Sequence, residues 1–419
     1  MVNKPENNTA QRDGGCSAVP KLAIACQGGG AHTAFTAGVL AYFFLAFQHF
    51  KASNQPLPVE LTAISGTSGG AITAAMAWSE ADSWALGARR VLHFWHLNKA
   101  LPTLENPHPF WWFEQSLNSW AQWAASLGNV LPKTQLPSNP EISRQIKQRM
   151  VADMETAFGP ACQGGAINGR NGMRIHVGAC DIVNPAARPD TAFTAFPASA
   201  HAPLEIAQLL ASAAIPEIFT PEEISIGGNP HFFWDGLFSQ NPPINDFFNG
   251  RSKAEKPDLL WVIQINPSVY ESSRGEAYPT LPLEVEDRRN ELIGNLSLGH
   301  ELNTIETINA LYAEPPVGLN GKKPVTYCII PLGRLNGIPL DYASKMNRDP
   351  DFIDALIRLG ASTAYDLAKS GALLRPDSHL TGKRQHACSW SNPSWPSPGS
   401  LVKYLIEPEL RGIWQGGDA

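Results

Sequence analysis

The sequence predicts an α/β fold of three layers, with a mostly parallel central sheet and helices on both faces. Three observations carry that prediction. Short apolar runs of strand length alternate with longer helical stretches, the order that builds parallel sheets through helical crossovers. Two of those runs, KLAIAC (21–26) and LTAI (61–64), pass through glycine-rich turns directly into apolar helices. The composition, 43% hydrophobic and 17% charged over 419 residues, suits a large buried core and disfavours a disordered or coiled-coil chain.

The elements follow in order. Residues 1–20 are polar and read as a mobile tail without the apolar core of a signal peptide. The six cysteines are scattered without C-x-x-C spacing, so reduced thiols are expected, and the polar first twenty residues make a cytoplasmic location the expectation. The strand at 21–26 leads through Gln27 and Gly28–Gly30 into a helix from Ala31 to Phe50. Its apolar stretch, Ala34–Phe47, is 14 residues, short of the ~20 a membrane span needs, so a buried core helix is predicted. The strand at 61–64 and the helix at 71–78 come next. Seven of the twelve tryptophans lie between Trp78 and Trp123, in a segment broken by Pro102, Pro107 and Pro109. Such a segment serves either as core packing or as an apolar cover that meets a lipid surface. A helix at 141–158, a glycine-rich loop at 159–172 and a strand at 173–180 follow. The apolar stretch 203–220 reads as a helix stopped by Pro216 and leads to HFFWDGLFSQNPPI (231–244). Beyond it lie a buried strand at 258–265, a long helix at 288–313, a strand at 325–332 and a helix pair within 349–373. Domain organisation is therefore one α/β unit over 21–375, with the Trp-rich segment at 78–123 and a C-terminal extension at 250–375. A Pro/Ser/Trp-rich surface tail covers 376–419.

Chemistry concentrates at three places. The first is GTSGG: Ser68 sits at the bend between a strand and a helix, and Gly66, Thr67, Gly69 and Gly70 form the turn around it. Such a nucleophile elbow needs glycine two residues before and after the serine, because side chains there would meet neighbouring backbone. The helix that follows directs unpaired N–H groups and a positive dipole end at the serine oxygen. The second is the loop Gly28, Gly29, Gly30. QGGGAHTAF lacks the Gly-Lys-Ser/Thr of a phosphate-binding loop and the G-x-G-x-x-G of a dinucleotide site, which leaves backbone N–H groups suited to a developing oxyanion. The third is Asp235, next to Gly236 and after aromatic residues 232–234, where apolar rings tune a carboxylate's pKa. His32, beside the glycine loop, is a candidate substrate contact and a poor base. No metal-ligand set and no cofactor is expected. The net charge of −6 disfavours nucleic acid and anionic lipid as partners, so any contact with a membrane or lipid surface is expected to be peripheral and apolar.

The glycine triplet, G-x-S-x-G and Asp-Gly, in that order on a strand-helix framework from Leu22 to Asn249, resemble the patatin-like phospholipase family of lipid acyl hydrolases. SAAIPEIFTP resembles that family's block before the aspartate. The resemblance implies a patatin-like fold, Ser68 as nucleophile, Asp235 as its base without a catalytic histidine, and Gly28–Gly30 as oxyanion hole. It also implies a lipid or acyl ester substrate. The chain departs from the family in having His32 and Thr33 where Arg or Lys and then Gly are usual, and Leu237 after Asp-Gly. GGGAH and RRNELIGNLSLGHEL are similar to a bacterial branch linked by name to polyhydroxybutyrate breakdown, which makes a polyester the alternative substrate. A Ser/His/Asp hydrolase using His300, His379 or His386, and a catalytically silent lipid-binding protein, are the other readings.

Overall fold

The computed structural model describes residues 19–100, 118–119, 140–183, 193–216, 218–270, 276–313, 323–335, 340–374 and 390–415. From the N-terminus come β1 (Lys21–Cys26), α1 (Ala34–Ala52), β2 (Glu60–Thr67), α2 (Gly69–Trp78), α3 (Trp84–Leu97) and α4 (Pro140–Phe158). Next are the short β3 (Cys162–Gln163) and β4 (Ala166–Ile167), then β5 (Arg174–Asp181), β6 (Phe193–Ala198), β7 (Leu204–Glu205), α5 (Ile206–Ser212), β8 (Glu222–Ile226) and β9 (Asn229–Asp235). The chain ends with β10 (Leu259–Gln264), α6 (Pro282–Ala313), β11 (Thr326–Pro331), α7 (Pro350–Ser370), α8 (Pro398–Leu401) and α9 (Pro408–Gln415).

The central sheet has eight strands in the order β11-β10-β1-β2-β5-β9-β8, with β6 paired along β5. The five from β11 to β5 are mutually parallel, as continuous apolar strands buried on both faces should be. The chain leaves β1 towards β2, while β10 lies on β1's other side, so the sheet's order reverses at β1. Crevices at the carboxyl ends of strands beside such a reversal are where open α/β sheets bind ligands.

Two features of the sheet were not legible in the sequence. β6, β8 and β9 are antiparallel strands, and β9 enters end-on to β2 along the same edge of β5. The register makes this plain: Gly178 pairs with Thr67 of β2, and the next residue, Ala179, pairs with Asp235 of β9. The last residue of β9 is thus delivered to the carboxyl end of β2.

Counted with its leading 3₁₀ turn, α1 spans Gly30–Ala52 and is long and apolar enough to cross a membrane, but 94% of its apolar window is buried in the fold. It packs against α7 at a glycine-on-backbone crossing. A Cβ on Gly38 would run into the Ile357 carbonyl, and one on Gly360 into the Phe35 carbonyl.

Three expectations need correction. The helix expected over 203–220 is only Ile206–Ser212, because Ser212 turns its side chain to the sheet and Ala214 gives its carbonyl to the Asp235 N–H at 3.0 Å. The pair expected within 349–373 is the single helix α7, capped by the Asp349 side chain and ended by Gly371 at φ 83°, with no breaker between. The C-terminal segment, expected as an extended tail packed on the surface, is partly helical over its described part and reaches into the core. Trp390, Trp395, Leu401, Leu405, Leu410 and Trp414 are all buried, and Trp395 meets Phe43 and Phe50 edge-on, because apolar side chains are too frequent there to stay in water. Of the Trp-rich segment, Trp78 and Trp95 are core and Trp84 packs on Phe44 and Phe47, as core packing would have it; most of the remainder, for which an apolar cover was the other reading, lies outside the described residues, as does the N-terminal tail to residue 18.

Gly360→Val puts a branched side chain against backbone at the α1–α7 crossing. It is expected to lower stability by about 1–3 kcal/mol, the usual cost of overpacking. Urea unfolding midpoints at unchanged m-value would measure it.

Candidate active site

The strand-to-helix turn at Ser68 forms because two backbones approach too closely for side chains. A Cβ on Gly66 would lie 2.6 Å from the Gly70 carbonyl oxygen, and one on Gly70 would lie 2.5 and 2.6 Å from those of Gln27 and Cys26. Ser68 itself takes φ 57°, ψ −134°, a conformation that costs a non-glycine residue about 1–3 kcal/mol. Its N–H donates to Ser212 Oγ at 2.9 Å, and Ser212 Oγ donates to the Gly178 carbonyl at 2.6 Å. The strain is therefore held by the sheet and α5 together. The serine is 6% exposed and stands at the N-terminus of α2.

The glycine loop lies alongside. A Cβ on Gly28 would come within 2.9 Å of the Ser68 Cβ, so only glycine allows the two turns to touch. The Gly28 N–H, however, donates to Asn241 Oδ1 at 2.7 Å. Among the described residues no partner is found for the N–H of Gly29 or Gly30, and Gly30 adopts φ 56°. The three-amide cradle expected from the sequence thus becomes two free amides plus one held by an asparagine. Gln27 fixes the loop's base: its Oε1 accepts from the N–H groups of Ile265 and Asn266 at 2.8 Å each, and its Nε2 donates to Asn295 Oδ1 at 2.9 Å.

Asp235 is 1% exposed and begins a 3₁₀ turn, where its Oδ1 accepts from the Leu237 N–H at 2.8 Å. Its Oδ2 is buried and has no hydrogen-bond partner among the described residues. Burial pushes its pKa up to about 7, against the pull of the Leu237 N–H and the Ser68 hydroxyl, which favour the charged form. Ser68, Asp235 and Gly28–Gly30 open on one cavity of about 190 Å³, walled further by Ile215, Leu237 and Asn266.

His32 does not line this cavity. Its ring is 2% exposed, its Nε2 is 2.8 Å from Ser344 Oγ and it meets Phe352 edge-on. Burial, then the Lys345 charge, holds its pKa well below the ordinary histidine value, so it is a neutral prop beneath the loop and not the substrate contact expected. His300 is exposed on α6 and does not line the cavity either; His379 and His386 lie outside the described residues. Among the described residues no group of histidine, cysteine, aspartate and glutamate could hold a metal ion. Sequence reasoning missed Asn241, Ser212, Gln27 and Lys345. Asn241 had a signal, since it follows Asp-Gly closely in a Pro-rich turn; the others act through contacts that no local pattern encodes.

A serine strained at the carboxyl edge of a parallel sheet, ahead of a helix, defines a hydrolase of the nucleophile-elbow class. Within that class the chain belongs to the patatin-like phospholipases, the family whose model matches residues 24–248. Members of this family are serine esterases that act on lipid acyl esters. No curated protein matches the chain. Among solved structures it is similar to VipD from Legionella pneumophila, at 13% identity and a TM-score of 0.29, covering 84% of this chain and 67% of that one. It is also similar to the ExoU–SpcU complex from the type III secretion system of Pseudomonas aeruginosa, at 14% identity and a TM-score of 0.23, covering 95% and 68%.

Asp235 also links stability to pH. Its folded pKa, near 7, lies above the ordinary carboxyl value of 3.8. Between those values the unfolded chain has released the proton and the native state has not, so rising pH disfavours the fold. Asp235→Asn, which keeps an acceptor for Leu237, is therefore expected to gain stability relative to the unaltered protein as pH rises from about 4 to 7, with the gain level above that. Paired thermal melts across this range would measure it, and a stability difference independent of pH would contradict the burial assigned to this carboxylate.

Proposed function

We propose that the protein hydrolyses carboxylic esters of lipids, in the manner of a phospholipase A or lysophospholipase, with Ser68 as nucleophile and Asp235 as its base. One observation carries this reading: the buried Asp235 carboxylate keeps one oxygen without a partner among the described residues, near the Ser68 hydroxyl, with its pKa raised to about 7. A carboxylate with ordinary solvation is a weak base, whereas one tuned towards neutrality takes up a proton readily at working pH.

In the first step Asp235 accepts the Ser68 hydroxyl proton as the oxygen attacks the acyl carbon. The carbonyl oxygen becomes an oxyanion that accepts the free N–H groups of Gly29 and Gly30, near the positive end of α2. Gly28 contributes by its lack of a side chain, and Asn241 holds it. The intermediate collapses, the alcohol leaves with the proton from Asp235, and the acyl group remains on Ser68. Asp235 then takes a proton from water as it attacks the acyl-enzyme, and passes that proton to the Ser68 oxygen as the acid is released, which restores the serine hydroxyl and the carboxylate.

The small cavity favours a second substrate on the same two residues, a polyester of short hydroxyacyl units such as polyhydroxybutyrate. For its setting we propose the cytoplasm, in peripheral contact with a lipid surface. Phe238 and Ile293 support the contact: both line the cavity and are 45% and 41% exposed, so they offer apolar surface at the point where substrate enters.

Ser68→Ala and Asp235→Asn are each expected to reduce ester hydrolysis by at least about a thousandfold with the fold retained. His32→Ala should be milder and His300→Ala neutral. A panel of phospholipid, lysophospholipid, acylglycerol and hydroxybutyrate esters, with released acid measured, tests this and ranks the substrates. Loss at His300 equal to that at Ser68 would favour a histidine base. No turnover on the panel, together with no labelling of Ser68 by a serine-directed probe, would favour a silent lipid-binding protein.

The pH dependence follows from the same carboxylate. Because only ionised Asp235 acts as base, kcat/KM should rise about tenfold per pH unit below 7 and level off above it. A pH–rate profile of the unaltered protein checks this, and a rate that falls as pH climbs from 5 to 7 would remove Asp235 from the role of base.

A further inference from the structure

One wall of the same cavity carries a buried lysine that makes no ion pair among the described residues. Lys345 lies in the 3₁₀ turn Ala343–Met346 and is 8% exposed. Its backbone carbonyl packs directly against Gly30, where a Cβ would collide with it. Its Nζ donates to Asn266 Oδ1 at 2.8 Å and to Asn290 Oδ1 at 2.5 Å. All three residues line the cavity together with Ser68 and Asp235. An ammonium has three donors, so among the described residues one N–H is left without a partner.

Both partners are neutral amides. They satisfy hydrogen bonds and leave the charge unbalanced, which is the costly state for a buried ammonium. Burial lowers its pKa below the ordinary lysine value, and three carboxylates, Asp287, Glu291 and Asp341, are near enough to oppose that shift, yet among the described residues none pairs with Nζ. Glu291 is engaged by Arg288 at 2.7 Å, and Asp341 accepts from the Ser344 N–H at 2.8 Å. Asp287 is pushed by burial to a pKa of about 7, so it is partly neutral at physiological pH. At the rim stands Arg289, its side chain 64% exposed, 2.6 Å from Glu286, with both residues lining the cavity.

We infer that Lys345, with Arg289 at the rim, forms an anion subsite that selects esters carrying a phosphate or carboxylate group near the scissile bond over matched neutral esters. The inference rests on the ester-hydrolase reading of this cavity and adds to it the charge of the substrate. The free N–H of Lys345 and its unbalanced charge are completed by an anionic oxygen of the substrate. Arg289 exchanges Glu286 for the incoming anion. Neither residue lies within the segment that matches the family, so the subsite belongs to this chain's own C-terminal half.

Two matched pairs test it on the full-length protein: a monoacylglycerol against its 3-phosphate with the same acyl chain, and p-nitrophenyl butyrate against p-nitrophenyl hemisuccinate. The first pair presents phosphate on the alcohol side, the second a carboxylate on the acyl side, so the preferred arm identifies the source of the anion. The unaltered protein is expected to favour the anionic member of at least one pair. Lys345→Met should cut that preference in kcat/KM at least tenfold, chiefly through KM, and the surface variant Arg289→Gln about threefold. Lys345→Gln serves if the methionine variant fails to fold. Binding is read separately from catalysis by the thermal shift that inorganic phosphate gives to Ser68→Ala, a shift that Lys345→Met in the same background should abolish. A phosphate-dependent shift without turnover of either pair would keep the subsite and sink the hydrolase reading. Turnover with equal rates on both members, or a Lys345 loss that falls equally on neutral and anionic esters, would keep the hydrolase and overturn the subsite.

Discussion

Two strand-to-helix turns, the one after β1 and the one after β2, are pressed together until nothing larger than hydrogen fits between them. Gly70 lies against the carbonyls of Cys26 and Gln27, and Gly28 against the Thr67 carbonyl and the Ser68 Cβ. That contact is the constraint on which the rest depends. It sets the spacing of β1 and β2 at their carboxyl ends, and with Ser212 it keeps Ser68 in a backbone conformation that an unrestrained serine would leave. It also brings the free amides of Gly29 and Gly30 to the same cavity as the serine, and no flexible side chain has to be ordered for them to stay there.

The carboxylate arrives by a different route, and the sheet explains why. A parallel strand in the place of β9 would run the same way as β2 and carry its carboxyl end away from Ser68. Running antiparallel, β9 ends where β2 ends, and Asp235 takes the position on β5 one residue beyond Thr67. Gly236 then allows the chain to pass the Gly178 carbonyl, and Thr67 Oγ1 ties the following turn by donating to the Gln240 carbonyl at 2.6 Å. The result is a carboxyl group removed from water with, among the described residues, one hydrogen bond to Oδ1 and none to Oδ2. Such a group is costly to keep ionised, and the same cost is what raises its affinity for a proton.

What was legible in the sequence follows from the range of the interactions involved. The elbow, the glycine loop, Asp235 and the parallel strands are written in contiguous residues, since a tight turn needs glycine locally and a buried strand needs an apolar run. The β8–β9 hairpin was not, because HFFW is as apolar as a core loop and its alternation is broken by Pro230. The early end of α5 was hidden for a related reason. Residues 203–220 have helical composition, but Ser212 and Ala214 contribute more by bonding to Ser68, Gly178 and Asp235, which lie far away in the chain. The C-terminal tryptophans were misread through composition alone: Pro and Ser around them marked a tail, while their burial depends on surfaces that the folded α1, α3 and α7 provide.

The same distinction divides the cavity itself. Ser68, Asp235 and the glycine loop all fall within residues 24–248, the part that carries the family pattern. Another part of the lining comes from Asn266, Arg289, Asn290, Ile293, Tyr342 and Lys345, all beyond it. Gln27 joins the two, since one side chain bonds the backbone after β10 and the Asn295 side chain of α6. Asn241 does the same from the other direction, accepting from Gly28 and donating through its own N–H to Ser297 Oγ at 2.9 Å. A change in α6 or in the 340s can therefore alter what the cavity admits while these two amide side chains hold the serine and its loop in register. That arrangement lets the chemistry stay fixed on the sheet while the choice of substrate is made by helices and turns packed over it.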